Sequence, residues 1–108
     1  MTPDILSALK YFESTGFIVL KPKHKNANGA DLIIIKNNEA FKIEIKQAEY
    51  KKNKTWQVQP IQKNRMKDDF VLIMHKEIIV EIIAMEDHLK LCSKKGYRPM
   101  TQRMKLII

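Results

Sequence analysis

The sequence predicts an α/β fold, a small mixed β-sheet flanked by helices. Three features predict it: an amphipathic helical stretch opens the chain, a β-hairpin occupies its centre, and an apolar run of strand length follows near residue 70. With 108 residues, 44% of them hydrophobic and 30% charged, the chain has the size and composition of one domain around one core. Residues 1–108 therefore read as a single domain. No apolar run has the length of a membrane span or the layout of a signal peptide, so the expectation is a cytoplasmic protein with no membrane partner.

The opening helix announces itself at Thr2-Pro3-Asp4, with Thr2 as N-cap, Pro3 at the first helical position and an acid in the first turn. Ile5, Ala8, Leu9 and Phe12 recur at helical spacing as its buried stripe. The helix runs to about Ser14, Gly16 ends it, and Phe17 to Leu20 reads as the first strand.

At the centre, Leu32 to Ile35 is apolar and mostly β-branched, while Phe41 to Lys46 alternates apolar with charged residues. Asn37-Asn38 between them tolerates the positive φ that a two-residue hairpin turn demands. With those two residues as the turn, Lys36 pairs with Glu39 and Ile35 with Ala40. Continued down the ladder, this register sets Asp31 opposite Glu44, with Lys46 two residues further along the same face.

Two carboxylates directly across a strand pair repel, so the arrangement needs a reason. A divalent cation supplies one, because Mg²⁺ prefers hard oxygen ligands and leaves its other positions to water or phosphate. Lys42, Glu44 and Lys46 also have the pattern of a solvated strand face. The register with Asp31, and the Gly29-Ala30-Asp31 lead-in, set this segment apart from that simpler reading.

Asp31, a short hairpin and then Glu44-Ile45-Lys46 resembles the PD-(D/E)XK nuclease superfamily, with Ala30 standing where the family's name has proline. The segment from Ala8 to Leu20 is similar to the opening helix and strand of small members, including the Holliday-junction-resolvase-like branch. The resemblance implies a restriction-endonuclease-like αβββαβ core over residues 1 to about 75, with 76–108 as a C-terminal extension. It implies Mg²⁺, with Mn²⁺ as substitute, held by Asp31, Glu44 and the main-chain carbonyl of Ile45, and Lys46 positioning or activating the attacking water. An acid on the first helix joins the metal site in many relatives. Asp4 and Glu13 are the candidates, Asp4 the better placed before the glycine, and at nine residues apart they occupy opposite flanks of the helix.

The rest of the chain fits a nucleic-acid partner. Lys and Arg number 20 against 12 acids, a net charge of +8. The cations cluster at Lys21, Lys23 and Lys25, in an irregular loop leading into Asp31, and at Lys51, Lys52 and Lys54 after the E-x-K strand. Trp56 to Gln59 reads as a further strand, with Trp56 either a base-stacking residue or an anchor of the core. Ile61 to Lys67 reads as a short helix with Lys63 and Arg65 on its polar face; Phe70 to Met74 is a buried central strand, and Ile78 to Ala84 another strand. Met85 to Lys95 reads as a second helix ending at Gly96. In the tail from Tyr97 to Ile108, Met104 to Ile108 is an added strand or an apolar surface for a partner subunit. His24, His75 and His88 lack metal-ligand spacing, and the single Cys92 is a small apolar filler.

The function expected from these features is a Mg²⁺-dependent endonuclease acting on DNA as a homodimer, RNA remaining open as a substrate. The alternatives are a non-catalytic nucleic-acid-binding module of the same fold, or a nuclease toxin or mobile-element protein.

Overall fold

A computed structural model describes residues 3–21, 31–51 and 55–100 of the chain. Its elements are α1 (Pro3–Ser14), β1 (Ile18–Leu20), β2 (Leu32–Lys36), β3 (Glu39–Tyr50), β4 (Trp56–Val58), β5 (Phe70–His75), β6 (Ile78–Ala84), α2 (Met85–Leu91) and β7 (Arg98–Met100), with one 3₁₀ turn at Lys63–Arg65. The αβββ start, the α/β class and the mixed sheet agree with the sequence. Among the described residues seven strands form one sheet, whose only parallel pairing is β3 with β5.

β3 organises the sheet because three partners share its length. Its first residues pair with β2, Ile43 to Gln47 pair with β5, and Ala48 to Tyr50 pair with β4, which in turn pairs with β7. The hairpin register is the expected one, from Lys36↔Glu39 to Leu32↔Ile43. Asn37 and Asn38 take φ of 53° and 66°, the left-handed values of a type I′ turn.

Alternation along β3 sorts its side chains. Ile43 joins Leu32, Ile34, Leu72, Met74, Ala8 and Phe12 in a core beneath α1. Ala48 faces the other way, into a second core with Val58, Ile61, Val71, Ile73, Val80 and Met85. β5 runs between the two cores, and Val71 to Met74 are all buried, as a central strand requires.

α1 ends as its sequence says. Phe17 N–H reaches the Phe12 carbonyl at 3.0 Å and Gly16 N–H the Glu13 carbonyl at 3.1 Å, the Schellman pattern, with Gly16 at φ 92°. Of its expected stripe, Ala8 and Phe12 are buried, and Ile5 packs against that core half-buried.

Two expectations need correction. The helix proposed over Ile61 to Lys67 is a single 3₁₀ turn, entered from an extended Gln62. α2 stops at Leu91, where Cys92 turns extended (φ −77°, ψ 149°), and Gly96 belongs to a separate turn closed by Gly96 N–H to the Ser93 carbonyl. In the tail, β7 lies at Arg98–Met100, and the strand or partner surface expected at Met104 to Ile108 falls outside the described residues.

His88 is wholly buried on α2, 3.5 Å by Nδ1 from Arg98 Nη1, and Arg98 pairs with Glu81 at 2.6 Å. Burial first, and then the Arg98 charge, push its pKa from 6.5 to about 4, with Glu81 opposing. The imidazole is therefore neutral in the fold while an unfolded chain takes up a proton below pH 6.5. Stability contributed by neutral His88 is present above that pH and lost as pH falls toward 4. In denaturant titrations at a series of pH values, His88→Gln is expected to be less stable than the parent at neutral pH but to lose less stability across this window.

Candidate active site

The candidate site forms where β2 runs out beside β3. Ile43 belongs to the last pair of the β2–β3 ladder, and strand alternation sends the main-chain groups of Ile45 toward the same edge, past the end of β2. Asp31 fills the place. Its N–H bonds the Ile43 carbonyl at 3.1 Å, and its Oδ2 accepts from Ile45 N–H at 2.8 Å. The carboxylate thus caps a strand edge that would otherwise be unsatisfied, and the Ile45 carbonyl faces the same opening.

One step beyond the Leu32↔Ile43 pair, Asp31 comes close enough to Glu44 for their carboxyl groups to interact. Burial, the Asp31 charge and the hydrogen bond with Asp31 push the Glu44 pKa from 4.5 to about 8; Arg65 opposes and Asp68 adds to the rise. At neutral pH the Glu44 carboxyl therefore keeps its proton. The second oxygen of Glu44, Oε2, is buried without a hydrogen-bond partner among the described residues, with Arg65 Nε 3.6 Å away.

Arg65 and Asp68 went unnoticed as site residues in the sequence. Arg65 is 8% exposed and Asp68 5%, both on the segment that crosses the Glu44 face of the sheet after β4. Asp68 N–H bonds the Arg65 carbonyl at 2.9 Å, and the Asp68 carboxyl, raised by burial, leaves Oδ2 without a partner among the described residues. In the sequence Arg65 reads as part of a helix's polar face, and Asp68 follows that helix; no local pattern reports that the turn points them inward toward Glu44.

Lys46 lies on the same face as Glu44, half-buried beside Ile73 of β5, within electrostatic reach of His88. Asp4 is not brought to this site. Its carboxylate accepts hydrogen bonds from the Gln47 amide and from Glu77 N–H, tying the start of α1 to β3 and the β5–β6 turn on the opposite face of the sheet. Glu13 is exposed at the far end of α1. Of the expected phosphate-binding lysines, Lys21 is exposed and Lys51 pairs with Glu49 at 2.7 Å; Lys23, Lys25, Lys52 and Lys54 lie outside the described residues.

The donor set suits a hard divalent cation. Two facing carboxyl groups, a buried oxygen lacking a partner and a main-chain carbonyl at an open strand edge are what such an ion neutralises and satisfies. Among the described residues no three His, Cys, Asp or Glu side chains gather into a closed metal cage. Two carboxylates leave most of an octahedral shell to water and phosphate, as in phosphoryl-transfer sites.

No protein-family model matches the chain, and no curated protein matches it. Among solved structures it is similar to that of a bacterial homing endonuclease, I-Ssp6803I, with a TM-score of 0.69 and 16% identity over 93% of this chain and 71% of that one. The chain shares the fold of a homing endonuclease. At this identity the likeness speaks for the fold, and the chemistry rests on the residues described above.

The raised pKa of Glu44 carries a sign. From pH 4.5 to about 8 the folded protein keeps a proton on Glu44 that the unfolded chain releases, so metal-free stability falls as pH rises through this window. In EDTA, Glu44→Gln is expected to remove that decline and to melt higher than the parent at the alkaline end, as read by thermal denaturation.

Proposed function

We propose that the protein is a Mg²⁺-dependent endonuclease that hydrolyses phosphodiester bonds in DNA, with a PD-(D/E)XK site at Asp31, Glu44 and Lys46. The observation that carries this reading is the meeting of Asp31 with a buried Glu44 that holds a proton and has one oxygen without a hydrogen bond, at an open strand edge and two residues before a lysine on the same face. The endonuclease fold of the solved neighbour supports DNA as the substrate class.

Asp31, Glu44 and the Ile45 carbonyl would hold the ion, Mn²⁺ substituting for Mg²⁺. When bound, such an ion polarises the scissile phosphate and lowers the pKa of a bound water. Asp31 keeps its carboxylate aimed through its bond to Ile45 N–H, so the ligand is oriented before any ion arrives. Arg65 steadies Glu44 from the protein side. The Lys46 ammonium orients the attacking water and offsets the charge that builds on the phosphate. Lys21, Lys23, Lys25, Lys51, Lys52 and Lys54 supply phosphate contacts, so affinity should fall steeply with salt.

Cutting both strands of a duplex needs two such sites, and the described residues offer one. A two-fold dimer answers that need, and β1 at the sheet edge presents apolar surface for it, with Ile18 64% and Leu20 49% exposed. Sedimentation velocity over a range of concentrations is expected to show a dimer; a monomer throughout, with and without DNA, contradicts it.

Supercoiled plasmid, a four-way junction and single-stranded DNA, each incubated with Mg²⁺, Mn²⁺ or EDTA, test the reaction itself. Asp31→Asn should lose both cleavage and the rise in melting temperature that Mg²⁺ gives the parent. Lys46→Ala should keep that rise while cleavage falls by roughly a hundredfold or more. If both variants cut as fast as the parent, the site lies elsewhere. If the parent cuts nothing and Mg²⁺ leaves its melting unchanged, the protein is a binding module without catalysis.

A further inference from the structure

Past Lys46, the same face of β3 carries Ala48 and then Tyr50, and beside them the sheet opens into a groove of about 760 Å³. Tyr50, Trp56, His75 and Lys76 line it with the β3 segment 47–49. Tyr50 is 57% exposed, although the core could have used its ring. Its ring lies 5.1 Å from that of Trp56, which packs half-buried against the second core and meets His75 edge-on at 4.7 Å. The Ala48 carbonyl holds His75 through Nδ1 at 3.2 Å. The result is an aromatic wall with a buried backing and one ring, Tyr50, left open to solvent.

The charges around this wall favour a polyanion. Lys76 lines the groove and Lys51 follows Tyr50 directly. The bond from Lys51 N–H to the Thr55 carbonyl, 2.8 Å, closes the β3–β4 connection, whose sequence adds Lys52 and Lys54. The one acid in the lining, Glu49, is already engaged by Lys51 at 2.7 Å and by the Gln59 amide at 3.1 Å. An exposed aromatic ring among cations suits an unpaired base on a phosphate backbone, since a duplex hides the faces of its bases.

We propose that this groove binds single-stranded DNA with a base stacked on Tyr50, so that the substrate of the neighbouring site carries an unpaired arm. The second half of the proposal rests on the nuclease reading; the first does not. Four residues of strand separate Lys46 from Tyr50, roughly 13 Å, or about four nucleotides at stacked spacing. A strand leaving the site along β3 thus reaches the groove without a detour.

Trp56 is the chain's one tryptophan, so its fluorescence reports on the groove directly. The test titrates the full-length protein in EDTA, where cleavage plays no part, with an oligo-dT strand, a blunt duplex of equal length and an oligo-U strand. Oligo-dT is expected to quench Trp56, the duplex to leave it unchanged, and oligo-U to bind no tighter than oligo-dT. Tyr50→Ala should weaken oligo-dT binding by roughly tenfold, as loss of one stacked base does. Tyr50→Phe should bind like the parent, and unchanged melting of both variants shows that the fold persists. Equal affinity of Tyr50→Ala and parent, or equal quenching by the duplex, overturns the proposal, and a clear preference for oligo-U overturns its assignment to DNA. Asp31→Asn should keep the quench. Quenching without cleavage by the parent therefore faults the nuclease reading alone, and cleavage without dependence on Tyr50 faults the groove alone.

Discussion

Two asparagines with positive φ fix the pairing on which the candidate site depends. Because Asn37 and Asn38 form a two-residue turn, Lys36 must pair with Glu39, and every later pair follows down to Leu32 and Ile43. Slipping that register by one residue would move Glu44 and Lys46 to the α1 face and bring Ile43 and Ile45 to the opening. The cores oppose such a slip, since Leu32, Ile34 and Ile43 are packed beneath α1. The turn and the packing therefore select the same arrangement, and its by-product is a carboxylate from Asp31 held against Glu44.

That arrangement is tolerated rather than favourable in the absence of a cation. The fold buries Glu44 beside Asp31, and the proton kept on Glu44 and the Arg65 guanidinium limit the repulsion. A surface selected for stability alone would have no need for this pair, nor for the buried Asp68 nearby with its unpartnered oxygen. The conflict is confined to the mouth of one hairpin, while the two cores around it are conventionally apolar. Local rule-breaking inside an otherwise consistent fold is where function is to be sought.

The elements legible in the sequence are those whose signals are local. Thr2-Pro3-Asp4 and Gly16 bracket α1, Asn37-Asn38 mark the hairpin, and the run from Phe70 to Met74 announces the buried β5. Asp31 and Glu44 were within reach because a two-residue turn converts sequence distance into register. What stayed hidden depends on contacts between distant segments. Arg65 and Asp68 are inward only because their turn crosses Glu44, and β7 is a strand because β4 offers an edge to Arg98–Met100. His88 is buried by the closure of α2 over the second face, with Arg98 arriving from ten residues on. Asp4 lies on the other face for a related reason: helical phase gives its flank of α1, but the face of the sheet on which α1 packs is a tertiary fact.

The central claim is that Asp31 and Glu44 exist as a pair in order to hold a divalent cation. Crystals soaked in Mn²⁺ test it most directly, through the anomalous scattering of the ion. The account predicts a peak bonded to Asp31 and Glu44 at about 2.2 Å, with the Ile45 carbonyl completing the protein ligands, and no such peak in Asp31→Asn crystals. A parent structure in saturating Mn²⁺ with the metal absent, or bound away from these two carboxyl groups, would contradict it.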